Sequence, residues 1–397
     1  MPVVPESGET DGSHLELSIV MPCLNEAETL PACIGKAFRF LREQNVIGEV
    51  IVADNGSTDG SRELAANLGA RVVSVIARGY GNALRGGIAA AHGRFVVMGD
   101  ADDSYDFAAL GAFVEKLRAG ADLVQGCRLP VGGGAIELEA MPVSHRWLGN
   151  PLFSALARRM FRVPVNDIYC GLRGFRRDLI PKLDLRCEGM EFATEMLIKA
   201  SLRGARIEEV PITLHRDGRT VHPPHLRTFR DGWRTLRFFL ICSPRWLFVY
   251  PGLLLLALGV VGFGVAMPGL TFFGATFDAH TLLFASLAVM VGYQAVLFGW
   301  LARTLAAREG FLRETKLLGW LRELLSLERG LAVGVIVLLA GVGLLLAAVA
   351  QWQAANFGRL DYAHTMRWVI PGVTLTALGF QTVLASFFVA VLGWYRR

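Results

Sequence analysis

Two carboxylates at the end of a short apolar run are the most chemically suggestive feature of this 397-residue chain. The stretch Val96-Val97-Met98-Gly99-Asp100-Ala101-Asp102-Asp103 reads as a strand that stops just before Asp100, with Asp100 and Asp102 at positions i and i+2. In a parallel α/β sheet ligands bind beyond the carboxyl ends of the strands, so both acids would face a cleft. Acids placed this way suit a hard divalent cation shared with a substrate, because Mg²⁺ is usually held by one or two protein carboxylates and completed by phosphate oxygens. The combination points toward nucleotide-sugar chemistry. A solvated turn would show the same pattern, so the neighbouring strand ends carry the decision.

Three further pieces fall at such ends. Val20-Met21-Pro22-Cys23-Leu24-Asn25-Glu26 reads as a strand leading into a turn with an acid. Ile51-Val52-Ala53-Asp54 ends on an acid and continues through Asn55-Gly56-Ser57-Thr58-Asp59-Gly60, whose hydroxyls and Asp59 can cap a following helix. Gly79-Tyr80-Gly81-Asn82-Ala83 opens another helix with small residues that would let the backbone approach a ligand. Each piece alone has a structural explanation as a turn or cap. Their order at successive strand ends is harder to account for that way.

The elements that must position them alternate. Strand signals at Leu17–Met21, Glu49–Val52, Arg71–Val75, Phe95–Met98, Leu123–Gly126 and Arg206–Pro211 are interleaved with helical stretches at Ala27–Gln44, Ser61–Leu68, Ala83–His92 and Phe192–Leu202. This is the signature of an α/β domain with a mostly parallel sheet. Gly132–Gly134 is expected to open a flexible loop.

The hydrophobic fraction of 53% is too high for a soluble enzyme of this length, and it is unevenly spread. Uncharged runs at 246–277, 281–302, 330–358 and 368–395 are each long enough to cross a bilayer, which predicts four transmembrane helices near 247–267, 280–302, 331–351 and 369–393. With the N-terminal domain inside, Arg303, Arg308, Arg313, Lys316, Arg322, Arg329, Arg396 and Arg397 are cytoplasmic, whereas the opposite loops hold Arg359 and Arg367. That satisfies the positive-inside rule. No cleavable signal peptide is expected, and the reading is an integral protein of the cell's inner membrane with a cytoplasmic catalytic domain. The six cysteines show no zinc-ligand spacing and fit reduced thiols. A net charge of +5 with arginines beside the first membrane run argues for an anionic membrane surface and not for nucleic acid.

Between the two regions, Leu226, Phe229, Trp233, Leu236 and Leu240 define one apolar helix face, and Arg227, Arg230, Arg234 and Arg237 a neighbouring basic one. Such a helix would lie in the headgroup layer. Packing on the sheet is the alternative. The expected organisation is a disordered 1–14, a catalytic domain over 15–222, a juxtamembrane amphipathic helix over 223–246, and a membrane region over 247–397 with an interfacial cytoplasmic segment at 303–330. A homo-oligomer is left open.

Over residues 15–250 the chain resembles glycosyltransferase family 2, the inverting GT-A enzymes, and within it the polyprenyl-phosphate hexose synthases typified by dolichol-phosphate glucose and mannose synthases. The resemblance rests on Pro22 to Glu26, Asp54 to Asp59, Gly79 to Ala83, Asp100-Ala101-Asp102, Gly126-Cys127-Arg128, Arg146 to Asn150, Asp167 to Phe175 and Glu195 to Pro211. It implies a Rossmann-like GT-A domain that moves a hexose from a nucleotide sugar to a polyprenyl phosphate. UDP-glucose is the favoured donor and GDP-mannose the alternative. It also implies roles. Pro22, Asn25, Glu26, Asp54, Gly79, Gly81 and Asn82 would line the donor site. Asp100 and Asp102, with Ser104, would hold Mg²⁺ or Mn²⁺ on the diphosphate. Arg128 and Arg146, with Asn150, would grip the acceptor phosphate, for which guanidinium forks are suited.

Three positions depart from the family pattern: Asn55 replaces an acid, Ser104 replaces a glutamine, and the basic element near the diphosphate is His215-Arg216-Asp217-Gly218-Arg219-Thr220, which makes both Arg216 and Arg219 candidates. A phosphate acceptor is already ionised at neutral pH and needs no dedicated base, so no histidine is nominated. A processive polysaccharide synthase would carry Gln-x-x-Arg-Trp, and Pro244-Arg245-Trp246 lacks the Gln. A transporter or flippase with a sugar-sensing domain would place charges inside its membrane runs, and these hold none.

Overall fold

Leu17–Cys23 is apolar on both faces, as a strand covered by helices on two sides must be. The computed structural model describes residues 15–219, 228–272, 274–308 and 327–394, and the chain divides into two compact units, Met1–Phe239 and Leu240–Arg397. In the first unit the order is β1 (Leu17–Cys23), α1 (Leu30–Glu43), β2 (Gly48–Asp54), α2 (Ser61–Asn67), β3 (Arg71–Ser74), α3 (Tyr80–Ala90), β4 (Phe95–Met98), α4 (Gly111–Arg118) and β5 (Leu123–Cys127). It continues with β6 (Ala135–Ile136), α5 (Asn150–Phe161), β7 (Arg173–Arg176), α6 (Ile180–Leu183), α7 (Glu191–Leu202), β8 (Ile207–Pro211), β9 (Thr213–Leu214) and α8 (Thr228–Cys242).

The main sheet runs β3-β2-β1-β4-β7-β5-β8. Its pairings are parallel except at β7, which lies antiparallel between β4 and β5. Helix α1 buries Leu30, Cys33, Ile34, Ala37, Phe40 and Leu41 against one face, the three-and-four spacing of an amphipathic helix. Register explains Pro22. Val20 pairs with Met98, and its carbonyl accepts the Gly99 N–H at 3.2 Å, so Val20 and Pro22 both turn their backbone polar groups toward the β4 side. At Pro22 β4 has already ended, so a strand residue without an N–H costs nothing there.

Strand β7 and helices α4 and α5 are additions to the sequence reading. No element is assigned to Arg-Gly-Phe-Arg from the sequence, yet the Arg173 side chain is fully buried and donates to the carbonyls of Cys170 (2.7 Å) and Ala193. Gly132–Gly134 is not a flexible loop. Pro130–Gly132 makes a 3-10 turn, β6 pairs with β9, and a Cβ at Gly134 would collide with the carbonyl of Cys127 and the backbone of Arg128.

Helix α8 also departs from its expected stripe. Leu226 and Arg227 fall outside the described residues. Phe239 is fully buried, edge-on to Phe153 and Phe161 at 6.1 and 5.4 Å, and Thr235 is buried on the same side. Trp233 is 61% exposed. The helix therefore docks by a row one position over from the predicted one and leaves the tryptophan outward.

Among the described residues the second unit holds four helices long and apolar enough to cross a membrane: Arg245–Ala266, which comprises a π-helical turn and α9 (Tyr250–Ala266), then α10 (Ala279–Arg308), α11 (Leu327–Ala354) and α12 (Tyr362–Trp394). Small residues bring them together. A Cβ at Gly252 would lie 2.8 Å from the Gly292 carbonyl and one at Gly334 3.0 Å from that of Gly379, the close approach expected of membrane helices. Hydroxyls join α10 to α12 through Ser286 and Thr374 (2.7 Å) and Tyr293 and Thr382 (2.6 Å). Arg367 is paired with Asp278 at 3.3 Å. The segment expected to be interfacial at 303–330 lies mostly outside the described residues.

Candidate active site

The carboxyl ends of β1, β2 and β4 deliver three loops to one edge of the sheet. The first two are tied together by short side chains. Ser57 Oγ accepts the Asn25 N–H (2.9 Å), Asn25 Oδ1 accepts the Thr58 N–H (2.8 Å), Ser61 Oγ accepts the Glu26 N–H (3.0 Å), and Asp59 accepts the Ala27 N–H (3.0 Å). Asn25 sits at φ 60°, the left-handed region that Asn tolerates better than most residues. Buried Asp54 accepts the N–H groups of Gly56 and Ser57 at 3.1 Å each.

Asn55 explains its own departure from the family pattern. Its amide donates to the carbonyls of Val75 (3.0 Å) and Ala77 (2.8 Å), and its oxygen accepts the Gly79 N–H (2.7 Å). A carboxylate has no proton to give two carbonyls, so the amide is what pins the β3–α3 turn.

The glycines of that turn are occupied by protein. Gly79 has φ 131°, and a Cβ there would lie 2.5 Å from the Glu188 carbonyl; one at Gly81 would lie 2.6 Å from the Cys187 carbonyl. The approach these residues permit is that of segment 187–192, not of open space, and Asn82 donates to the Arg78 carbonyl at 3.0 Å. Cys187 and Arg186 in turn give their N–H groups to buried Glu195, at 2.8 Å and 3.0 to 3.1 Å.

Half-buried Asp100 accepts the Tyr80 hydroxyl at 2.8 Å. Loss of solvent, and then the charge of Asp102, push its carboxyl up to about 6. Asp102 accepts the hydroxyl (2.6 Å) and N–H (3.1 Å) of Ser104, so Ser104 orients this acid. The loop is fixed from behind as well: Thr29 donates to the Ala101 carbonyl at 2.6 Å, Lys36 pairs with Asp103 at 2.8 Å, and the Gly218 N–H reaches the Asp102 carbonyl at 2.9 Å. Beneath Asp100 lies Gly171, where a Cβ would come within 2.5 Å of Asp100 Oδ2. Desolvation lowers the pKa of buried Arg173, whose charge acts on Asp100 and Tyr80.

The two candidate arginines of the 215–220 element part company. Arg216 is exposed, with Nε on the Leu138 carbonyl (2.8 Å) and Nη2 on Glu139 (3.1 Å). Arg219 turns inward and meets Glu26 at 3.1 Å, Asp102 at 3.4 Å and Asp217 at 2.5 Å. Burial pushes Glu26 up to about 7 against the pull of Arg219, helped by the charges of Asp102 and Asp217.

Of the expected acceptor residues, Arg128 is close enough for its charge to act on Asp100. Arg128 is buried and closes a fork on Asp167 at 2.7 and 2.9 Å, with its N–H on the same acid at 3.1 Å. Asp167, part of the family motif, is thus the partner that claims the Arg128 fork. Arg146 lies on a π-helical turn, His145–Gly149, that runs into α5, with its guanidinium carbon 5.3 Å from the Trp147 ring centre. Its Nε is buried without a hydrogen-bond partner. Asn150 turns its amide toward Met141 Sδ at 3.3 Å. Around Arg146, Val143, Trp147 and Leu148 are exposed. No ion pair among the described residues joins Arg146 to the Asp100–Asp102 cluster. The sequence assigns no site role to Tyr80, Thr29, Gly171 or Asp217, since nothing in their local spacing separates them from their neighbours.

A mostly parallel sheet with acids gathered at its carboxyl edge, followed by four helices long and apolar enough to cross a membrane, is a GT-A-like α/β domain with an apolar helical region. Residues 18–184 match the model of glycosyl transferase family 2, and residues 300–393 match that of the family's C-terminal transmembrane region. The low-salt glycan biosynthesis hexosyltransferase Agl6 of Haloferax volcanii is 37% identical over 379 residues, 95% of this chain and 89% of that one. The chain belongs to glycosyltransferase family 2. The dolichyl-phosphate hexose transferase of the same organism is 32% identical over 203 residues, 51% of this chain and 84% of the relative. Among solved structures, the glucosyl-3-phosphoglycerate synthase of Mycobacterium tuberculosis, crystallised with Mn²⁺, UDP and glucosyl-3-phosphoglycerate, is 22% identical with a TM-score of 0.43 over 61% of this chain and 84% of that one.

Proposed function

We propose that this membrane glycosyltransferase moves a hexose, with inversion, from a nucleotide diphosphate sugar to a polyprenyl phosphate at the cytoplasmic face. UDP-glucose is the favoured donor and GDP-mannose the alternative. The observation that carries the reading is the convergence of Glu26, Asp54, Asp100, Asp102 and Arg219 at one sheet edge. The named activities of the two Haloferax relatives, hexosyl and dolichyl-phosphate hexose transfer, support the acceptor class.

The donor set fits a hard divalent cation. Loss of solvent raises Asp100 to about 6, and the charge of Asp102 adds to it, a repulsion that a cation would relieve. Two carboxylates with the remaining positions completed by phosphate oxygens are the usual protein share of a Mg²⁺ site. Asp100 and Asp102, with Ser104 steadying the second, would hold Mg²⁺ or Mn²⁺. When bound, the ion neutralises charge on the departing diphosphate.

The chain's own residues do the rest by positioning and charge. Arg219, with three carboxylates around it, stands beside the place of the diphosphate and offers it a planar fork. The acceptor phosphate oxygen attacks the sugar C1 as the bond from C1 to the diphosphate oxygen breaks, and no side chain has to remove a proton. Arg146, with an unused Nε, would hold that phosphate among exposed apolar residues suited to a lipid-borne substrate. Arg128 would contribute the edge of its guanidinium left free by Asp167. Offering purified protein a panel of nucleotide sugars with a polyprenyl phosphate tests the reading. A lipid-linked hexose from one donor supports it, and no lipid-linked product from any donor refutes it.

A further inference from the structure

Charge does not balance around Arg219. Its guanidinium faces Asp217, Glu26 and Asp102, one positive charge against three carboxylates, with Asp100 close enough to be perturbed by Asp102. The three contacts are unequal. Asp217 is local: it takes the Arg219 N–H and Nε at 2.9 Å each. Glu26 and Asp102 lie 193 and 117 residues away in sequence, so the fork bridges the loops after β1 and β4. The contact to Asp102, at 3.4 Å, is the longest and the weakest as a hydrogen bond. The strap that carries Arg219 lies flat on the acidic loop. His215 N–H reaches the Ser104 carbonyl at 3.0 Å, and a Cβ at Gly218 would already touch Thr29 and Asp103 at 3.2 and 3.3 Å.

We infer that Arg219 is a tethered counter-ion that competes with the divalent cation for Asp102 and gives it up only when a nucleotide diphosphate arrives to take the guanidinium. The inference rests on the reading of Asp100 and Asp102 as the cation's ligands. A free cation entering the donor-free site must push Nη2 off Asp102 and then sit beside a guanidinium held close by Asp217 and Glu26. Like charges at that range repel, and the half-buried setting screens them poorly. A diphosphate reverses the sign, because both cations acquire a shared anionic partner and the fork matches phosphate oxygens. Nucleotide and metal then bind with positive coupling, and the coupling is reciprocal. Asp217 keeps the arginine within reach, so the exchange needs no rearrangement of the sheet. In consequence the empty site resists loading with free metal, and the donor enters together with its ion.

The test uses the full chain in detergent, with bound Mn²⁺ read from the loss of the free-ion electron paramagnetic resonance signal, with and without UDP or GDP. Arg219→Gln should bind Mn²⁺ about tenfold more tightly than wild type without nucleotide, and the gain on adding nucleotide should shrink by a similar factor. Arg219→Lys, which keeps the charge and loses the fork, should fall between them and serves if the glutamine variant does not fold. Asp102→Asn should abolish the site in every background. If Asp102→Asn abolishes binding but Arg219→Gln leaves nucleotide-free affinity unchanged or weaker, Arg219 is a structural tether and the inference is overturned with the metal assignment intact. If Asp102→Asn leaves Mn²⁺ binding unaltered, the metal assignment fails and the inference falls with it.

Discussion

Gly171→Ala is the sharpest test of how Asp100 is held. Gly171 does not have a positive φ, so alanine can adopt its backbone and the added methyl acts by contact alone. That methyl would lie 2.5 Å from Asp100 Oδ2 and 3.2 Å from the ring and hydroxyl of Tyr105, whereas ordinary contact begins at 3.4 Å. The carboxylate must retreat by about 0.9 Å, the shortfall from that contact distance. It is not free to do so, because Tyr80 holds its other oxygen at 2.8 Å, and the Gly171 N–H is itself on Tyr105 at 2.9 Å. Overpacking of this kind costs about 1–3 kcal/mol of stability. If the displaced acid loses its place on the cation, a charged contact of about 1.5–3 kcal/mol goes with it, a fall of roughly ten- to a hundredfold in kcat/KM. The assay is transfer of labelled sugar into extractable lipid, run beside Mn²⁺ binding and a thermal melt in detergent. Gly35→Ala is the control: it lies in α1 with nothing within 4 Å, and should gain about 0.5–1 kcal/mol. A Gly171→Ala protein with wild-type kcat/KM and Mn²⁺ affinity would refute the placement of Asp100 as a cation ligand over Gly171.

Asn55→Asp sets a carboxylate against the carbonyls of Val75 and Ala77, and denaturant melts should show a loss of about 2–4 kcal/mol. Asp167→Asn leaves the buried Arg128 guanidinium uncompensated and should cost about 3–5 kcal/mol; if Arg128 also meets the acceptor, KM for the lipid phosphate should rise more than KM for the donor. Glu26 and Asp100 have pKa values raised to about 7 and about 6, so each binds its proton more tightly when folded, and its contribution to stability is present at low pH and lost as pH rises through those values. Melts in chelator should therefore show stability falling between about pH 5 and 7.5, with a shallower fall once Mn²⁺ is added; an unchanged slope with Mn²⁺ would contradict the assignment.

The strand ends are legible because apolar runs of four to seven residues are short enough to count and an acid follows within three residues of each, which places Asp54, Asp100 and Asp102 at the sheet edge without coordinates. Partners were not legible. Asp167 lies 39 residues beyond Arg128 and claims its fork, and Cys187 and Glu188 come from another helix–loop unit to fill the space beside Gly79 and Gly81. Strand β7 hid because a buried arginine inside a four-residue strand violates the alternation that strand recognition depends on. Helix α8 shows the same limit on a smaller scale. Its period was readable, but the row it docks by depended on where Phe153 and Phe161 leave room for Phe239.

Arg216 and Arg219, three residues apart, make the point about function. Neither charge nor spacing separates them. After β9 the chain crosses the acidic loop, so Glu137 takes His215 at 2.8 Å and Glu139 takes Arg216 on one side, while Gly218 and Arg219 fall on the other. The residue that ends up inside is surrounded by more negative charge than it can neutralise. A protein selected for stability alone would gain by removing one of those carboxylates, since buried charge without full pairing is costly. Three carboxylates on one guanidinium at the carboxyl edge of the sheet, with Glu26 raised to about 7 and Asp100 to about 6, mark a site whose balance is completed by what it binds.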